Sequence, residues 1–91
     1  MTKTAQTVEE YLLYLEEKGF HLAEDARGFI SFGQQYTRAA DEMVIFTIEW
    51  TLKVQKEFDG SFFVSLLENL TSNRISNQKQ AIQYLKSSGM I

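Results

Sequence analysis

The chain has 91 residues, of which twelve are acidic and nine are Lys or Arg; it contains one histidine and no cysteine. This length predicts a single domain over residues 1–91, and an apolar fraction of 44% is too high for a disordered chain. The lack of cysteine excludes disulfides and thiolate chemistry, and the N-terminal segment lacks the apolar stretch of a signal peptide. We therefore expect a cytoplasmic protein that does not span a membrane.

The charge is divided unevenly along the chain. Residues 1–68 carry all twelve acids and six bases, a net charge of −6, whereas residues 69–91 carry three bases and no acid. The acidic part argues against non-specific nucleic-acid binding by the whole surface, and it favours basic partners. The C-terminal part offers an acid-free surface, which a phosphate-binding helix needs.

Residues 7–19 have the pattern of an amphipathic helix. Thr7 and Glu10 match a capping box, and Gly19 followed by Phe20 is a typical helix end. The apolar residues follow the i, i+3, i+4, i+7 spacing of one helix face: Val8, Tyr11, Leu12 and Leu15. We expect this face to be buried.

Residues 20–58 carry two conflicting patterns. Every even position from 44 to 54 is apolar, which favours a strand. A second pattern favours helices, because residues that could face a helical core recur at alternating spacings of four and three: Leu22, Ala26, Phe29, Gly33, Tyr36, Ala40, Met43, Thr47, Trp50 and Val54. The intervening segment 38–42 lacks the residues of a tight turn, so we favour helices, with a break near Thr37, which would cap the second one.

The remaining segments are predicted to be helical. Ser61 is expected to cap a helix over 62–70, and a last helix over 77–87 is expected to stop at Gly89. We therefore predict an all-α domain of about five helices. The alternative is an α+β domain, with an N-terminal helix, a β-hairpin formed by 29–36 and 43–54, and two C-terminal helices.

The sequence shows no combination of residues that is typical of an active site. His21 has Glu17 and Glu24 nearby in sequence, but sites of this kind usually include a second histidine. The glutamates of the first helix lie on its predicted solvent side, and the five glycines do not form a phosphate loop. We therefore predict a non-enzymatic protein without a metal or other cofactor.

Some large apolar residues exceed what the predicted core faces can bury. Leu13 and Tyr14 lie off the apolar face of the first helix, and Phe32 and Phe46 lie off the repeated four-three spacing. We predict that these four residues form an interface with a protein partner or a second copy. The main functional hypothesis is a small adaptor, regulator or inhibitor that occludes its partner.

The C-terminal segment supports a second hypothesis. Residues 74–91, with Ser76 as a cap, Ile82 and Leu85 inward and Gly89 near the end, resemble the recognition-helix end of helix-turn-helix and winged-helix domains. This resemblance implies DNA binding by residues 74–86. The side chains that would contact DNA are basic or carry an amide: Arg74, Lys79, Gln83 and Lys86. Residues 71–76 are too short to hold the helix that normally precedes a recognition helix.

Overall fold

Five α-helices make up the described part of the chain. A computed structural model describes residues 6–20, 22 and 24–89, and its helices are α1 (Val8–Glu17), α2 (Glu24–Thr37), α3 (Asp41–Gln55), α4 (Gly60–Ser72) and α5 (Gln78–Ser87). These residues contain no strand. The prediction of an all-α fold is thus confirmed, and the alternative hairpin of 29–36 with 43–54 is wrong. In the described residues, every helix is too short or too polar to cross a bilayer.

Both ends of α1 form as predicted. The Glu10 amide donates to Thr7 Oγ1 at 3.1 Å, and the Thr7 amide donates to Glu10 Oε1 at 3.1 Å, which completes the capping box. At the other end Gly19 has a positive φ of 93°. The Phe20 amide donates to the Leu15 carbonyl at 2.9 Å, so the orphan carbonyls of the last turn are satisfied.

Helix α3 is buried on several sides, and this explains its strand-like sequence. Val44 and Ile48 are fully buried, as are Thr47 and Thr51. The Thr47 hydroxyl donates to the Met43 carbonyl and the Thr51 hydroxyl to the Thr47 carbonyl, each at 2.7 Å. These bonds satisfy the buried hydroxyls within the helix, so tertiary packing overrides the β-propensity of the segment.

The break between α2 and α3 differs in detail from the prediction. Thr37 ends α2, and its hydroxyl donates to the Gly33 carbonyl at 2.7 Å. Ala40 is the N-cap of α3 and makes no side-chain cap bond, so the prediction that Thr37 caps α3 is wrong. The four-three spacing also does not mark one buried face of α2, because Phe29 and Tyr36 are exposed whereas Ile30, which lies outside that spacing, is buried.

The carboxylate of Asp41, in the first turn of α3, joins three helices. Asp41 Oδ2 accepts from the Val8 amide of α1 at 3.1 Å, and Asp41 Oδ1 accepts from Gln34 Nε2 of α2 at 2.7 Å. The negative charge also lies at the positive end of the α3 dipole. This short network fixes the start of α1 against the α2–α3 corner.

The caps of α4 and α5 lie one or two residues from their predicted positions. Asp59 caps α4, accepting from the Phe62 amide at 3.1 Å, in place of Ser61. Asn77 caps α5, accepting from the Gln80 amide at 2.9 Å, in place of Ser76. In both cases an Asx side chain accepts from the N3 amide, which is the usual geometry of an N-cap.

Helices α2 and α4 pack side by side and run in the same direction. The ring of Phe29 lies against Gly60 at the start of α4, and Gly33, one turn further along α2, lies against Phe63 and Leu67. The absence of a side chain at Gly33 permits this close approach. Around this contact the core collects buried residues from all five helices: Val8, Tyr11, Leu12, Leu15, Ile30, Met43, Val44, Phe46, Ile48, Phe63, Leu66, Leu67, Leu70, Ala81 and Leu85.

Candidate functional site

A groove of about 430 Å³ opens between α1, α3 and α5. This volume is within the range of protein sites that hold a small molecule or a few side chains of a partner. Phe20, just after α1, and Ile82 of α5 are exposed at its rim. The lining is mainly apolar and comprises Tyr11, Leu15, Phe20, Phe46, Glu49, Trp50, Leu52, Lys53, Gln78 and Ile82. We call this feature the α1–α3–α5 groove.

Two stacked aromatic rings of α3 form part of the groove wall. The ring centroids of Phe46 and Trp50 are 5.8 Å apart, and the planes differ by 15°. Phe46 is only 4% exposed, so its predicted place on an open protein-binding surface is wrong. Neighbouring helices cover this side chain, since α3 contacts α1, α2, α4 and α5; Phe46 contributes to the groove as a packed wall.

The groove contains one carboxylate next to its aromatic wall. Among the described residues the one ion pair joins Arg27 and Glu16 at 3.7 Å, so Glu49 has no salt bridge there. Lys53, one turn after Glu49, instead places its Nζ 5.5 Å from the centroid of the Trp50 ring, in a cation–π contact. The groove therefore presents an apolar surface with one carboxylate, Glu49, which makes no salt bridge among the described residues and lies beside the Tyr11 phenol.

Tyr11 connects the groove to the exposed side of α1. Burial, followed by the negative charge of Glu49, raises the pKa of the Tyr11 phenol well above its ordinary value. The phenol is therefore neutral throughout the physiological range. The ring of Tyr14 stacks on Tyr11, with centroids 6.1 Å apart, and Lys18 Nζ lies 5.6 Å from the Tyr14 centroid. Tyr14 thus contacts a groove residue but does not itself line the groove.

The other two residues predicted for the protein interface lie elsewhere. Leu13 of α1 is 52% exposed and Phe32 of α2 is 56% exposed, and neither lines the α1–α3–α5 groove. Of the four predicted interface residues, only Phe46 lines the groove, and Tyr14 lies beside it through its stacking contact with Tyr11. Leu13, Tyr14 and Phe32 are exposed in this chain, and their place in an interface stays a prediction.

Sequence reasoning missed the groove residues Glu49 and Trp50. Trp50 belongs to the four-three spacing and Glu49 lies outside it, so no single pattern in the sequence placed the two residues at one site. The sequence signal for this groove is a set of two i, i+4 pairs on adjacent sides of α3. Phe46 and Trp50 form the pair on the packed side, and Glu49 and Lys53 form the pair toward solvent. A groove edge forms where these buried and exposed sides meet.

The residues predicted to bind DNA lie around the α4–α5 turn. Arg74, Gln83 and Lys86 line one shallow hollow of about 680 Å³ with Asn73 and Tyr84, and none of the described residues lining it is acidic. Lys79 is exposed on α5 but does not line this hollow. We call it the α4–α5 hollow.

The connection into α5 contains no further helix, as the shortness of residues 71–76 predicted. Helix α4 ends at Ser72, and five residues separate it from α5. In the connecting turn, Arg74 has a positive φ of 59°. The Arg74 amide donates to the Thr71 carbonyl and the Ile75 amide to the Leu70 carbonyl, both at 3.0 Å. These are the two hydrogen bonds of a Schellman motif, with arginine at the position where glycine is usual.

The described residues offer no metal site. No three His, Cys, Asp or Glu side chains in that part of the chain come together as a ligand set. The histidine considered in the sequence, His21, lies outside the described residues. The glutamates of α1 are exposed, as their sequence positions predicted.

A comparison with known families covers almost the whole chain. Residues 2–91 match the family of unknown function DUF6123. The chain belongs to the DUF6123 family. No curated protein and no solved structure gives a significant match. The function of this DUF6123 chain is therefore inferred from the chemistry of its own surfaces.

Proposed function

We propose that this DUF6123 protein is a cytoplasmic, non-enzymatic protein-binding module that regulates or inhibits a partner by occluding its surface. The observation that carries the proposal is the α1–α3–α5 groove, in which Glu49 lies next to the stacked rings of Phe46 and Trp50. An apolar groove with a few convergent polar groups is the usual form of a recognition site.

The groove chemistry favours a partner segment with a large apolar anchor and an adjacent Lys or Arg. The anchor would be buried against the aromatic wall, and each buried Å² of apolar surface contributes roughly 25 cal/mol. The adjacent cation would pair with Glu49. The four exposed acids of α1 give this side of the protein a negative potential that steers basic segments toward it.

Trp50 provides a direct test, because it is the one tryptophan of the chain and it lines the groove. We would titrate the protein with short helical peptides that share one apolar anchor and carry either Lys or Glu beside it. We expect the lysine series to shift and quench the Trp50 emission, and the glutamate series to have a smaller effect. If neither series changes the emission, the groove is not a peptide site and the proposal fails.

Substitutions at the rim test whether the groove is responsible for binding. Ile82→Asp places a charge at the groove edge and should weaken binding of the lysine peptides at least about tenfold. Glu49→Gln should remove the preference for lysine peptides over glutamate peptides. It should leave unchanged the part of the affinity that the apolar anchor contributes. Leu13→Asp is the matched control, because Leu13 is exposed and lies outside the groove. Equal losses in Ile82→Asp and Leu13→Asp would contradict the proposal.

A second candidate function is binding of DNA through the α4–α5 hollow. Its support is the placement of Arg74, Gln83 and Lys86 around one hollow whose described lining contains no acid. Basic side chains displace counterions from phosphate, so binding would weaken steeply with salt. Fluorescence anisotropy at low salt should show binding that weakens in the variant Lys79→Ala with Lys86→Ala. Failure of the unmodified protein to bind duplex DNA at low salt would exclude this function.

A further inference from the structure

The charged side chains that line the α4–α5 hollow are both cations. Arg74 comes from the turn after α4, and Lys86 comes from the last turn of α5. None of the described residues that line the hollow is acidic, and residues 69–91 contain no acidic side chain. The local electrostatic field therefore attracts an anion.

Hydrogen bonds around the hollow occupy acceptor atoms and leave donors for a ligand. Gln80 Oε1 accepts from the Ser76 amide at 3.0 Å and from the Ser76 hydroxyl at 3.2 Å. Because a backbone amide can only donate, this contact fixes the orientation of the Gln80 amide and leaves the two protons of Nε2 for another acceptor. The Tyr84 hydroxyl accepts from Asn73 Nδ2 at 3.5 Å, so its own proton is also left for another acceptor. Since Gln80 and Tyr84 both line the hollow, its neutral groups favour an anion as its cations do.

Arg74 has a backbone conformation that favours glycine. Its φ is 59° in the Schellman motif after α4, where a side chain is strained. Arg38 and Lys56 have the same conformation after α2 and α3, but acidic residues closely follow both of them in the chain. Arg74 makes no ion pair among the described residues. A ligand that binds its guanidinium would account for an arginine at this strained position.

The start of α5 differs from the hollow in its electrostatics. Glu42 Oε2 of α3 accepts from the Gln78 amide at 3.3 Å, so a carboxylate already lies at the end of α5 that a recognition helix points toward the bases. A phosphate at that end would be repelled. Glu42 does not line the α4–α5 hollow. The favourable place for an anion is therefore the hollow, away from the start of α5.

We propose that the α4–α5 hollow binds a small ligand with two or more linked phosphates, such as the phosphate chain of a nucleotide. Arg74 binds one phosphate through two N–H groups of its planar guanidinium, and Lys86, on a separate element, pairs with the next as a point charge. Gln80 Nε2 and the Tyr84 hydroxyl donate to the remaining phosphate oxygens. The volume of about 680 Å³ is within the range of protein sites for small ligands.

This proposal rests on the same hollow as the second candidate function, but it names a small ligand in place of a duplex. A recognition helix enters the major groove with its convex surface, and Lys79, which that function also uses, lies outside the hollow. A compact phosphate chain enters the concave hollow itself. The hollow shares no residue with the α1–α3–α5 groove, so the proposal is also independent of partner binding there.

Titration of the isotope-labelled protein with sodium pyrophosphate, followed by amide NMR shifts, tests the proposal. We expect saturable shifts at the amides of Arg74, Gln80 and Tyr84 that sodium chloride at the same ionic strength does not reproduce. Adenosine triphosphate should give the same pattern, and adenosine without phosphate should give none. Pyrophosphate binding by a protein that does not bind duplex DNA would support this proposal and exclude the second candidate function. Shifts that sodium chloride reproduces, or equal binding of adenosine and its triphosphate, would overturn it.

Substitutions separate the hollow from general basic charge. Lys86→Gln should weaken pyrophosphate binding by about tenfold, whereas Lys79→Gln, which removes the same charge from the same helix outside the hollow, is the matched control and should have little effect. Gln80→Glu keeps the oxygen that accepts from Ser76 but adds a negative charge, so it should abolish binding. Arg74→Gly should also abolish binding, in a chain at least as stable to urea as the unmodified protein, so the loss cannot come from unfolding. Equal losses in Lys79→Gln and Lys86→Gln, or full binding by Arg74→Gly, would overturn the proposal.

Discussion

Gly33 of α2 lies against the ring of Phe63 of α4 so closely that an added Cβ would stand 2.9 Å from Cε2 of that ring. The same Cβ would be 3.4 Å from a methyl group of Leu67. Both neighbours are fully buried and have little room to move. The contact between α2 and α4 therefore depends on the absence of a side chain at residue 33.

We predict opposite effects for the same substitution at two glycines of α2. Gly33→Ala should lower the free energy of unfolding by about 1–2 kcal/mol, because overpacking against Phe63 exceeds the gain in helix propensity. Gly28→Ala should raise it by up to about 1 kcal/mol, because its Cβ would meet nothing within 4 Å. Urea denaturation at a concentration where the protein is monomeric measures both. The same sign for both variants would contradict the packing of α2 against α4.

The buried phenol of Tyr11 should make the protein less stable at alkaline pH. Its pKa is raised by burial and by the charge of Glu49, so above about pH 10 the unfolded chain ionises at this residue while the folded chain does not. The unfolded state then binds fewer protons, and the free energy of unfolding falls by up to about 1.4 kcal/mol per pH unit.

The substitution Tyr11→Phe should reduce this alkaline loss. We would compare the free energy of unfolding at about pH 9 and about pH 11 for the unmodified protein and the variant. Tyr36→Phe is the control, because the Tyr36 side chain is exposed and makes no contribution to the pKa of Tyr11. An unchanged pH dependence in Tyr11→Phe would show that this phenol is not the group responsible.

Arginine at the left-handed position after α4 should cost stability. Arg74 has a φ of 59° in the Schellman motif, where a side chain is strained and glycine is not. We expect Arg74→Gly to raise the free energy of unfolding by about 1 kcal/mol. Arg74→Ala removes the same charge but keeps the strain, so it should give no such gain in thermal or chemical denaturation. If DNA binding is the function, Arg74→Gly should weaken it while stabilising the fold.

The carboxylate of Asp41 should be important for the junction of the first three helices. It accepts from the Val8 amide and from Gln34 Nε2, so Asp41→Ala should lower the free energy of unfolding by about 1–3 kcal/mol. Asp41→Asn retains an acceptor oxygen and should lose less. Hydrogen exchange should show earlier exchange of the Val8 amide in Asp41→Ala. Unchanged stability in that variant would contradict the role of this network.

Both ends of α1 could be predicted from the sequence, because they depend on residues that are close together in the chain. The capping box of Thr7 and Glu10 and the left-handed Gly19 both formed as predicted, since each satisfies backbone groups within one turn. The strand-like alternation of 44–54 was misleading for the opposite reason. It reflects how many sides of α3 are buried, and burial is decided by the other helices.

The candidate site was only partly predictable. The exposure of Leu13, Tyr14 and Phe32 followed from their positions off the apolar faces, because helix periodicity determines which residues share a face. The burial of Phe46 did not follow, since it depends on how the neighbouring helices pack around α3. Glu49 and Trp50 of α3 and Ile82 of α5 line one groove, and this too depends on how different helices pack.

By itself the sequence determined an acidic chain that favours helices, the two ends of α1, and a surplus of apolar residues. These properties follow from composition, periodicity and hydrogen bonds within a single turn. Only the tertiary structure decided which apolar residues remain exposed and that Glu49 lies at an aromatic wall. The physical reason is that helix packing is set by contacts between distant segments, such as Gly33 with Phe63, which no local pattern in the sequence encodes.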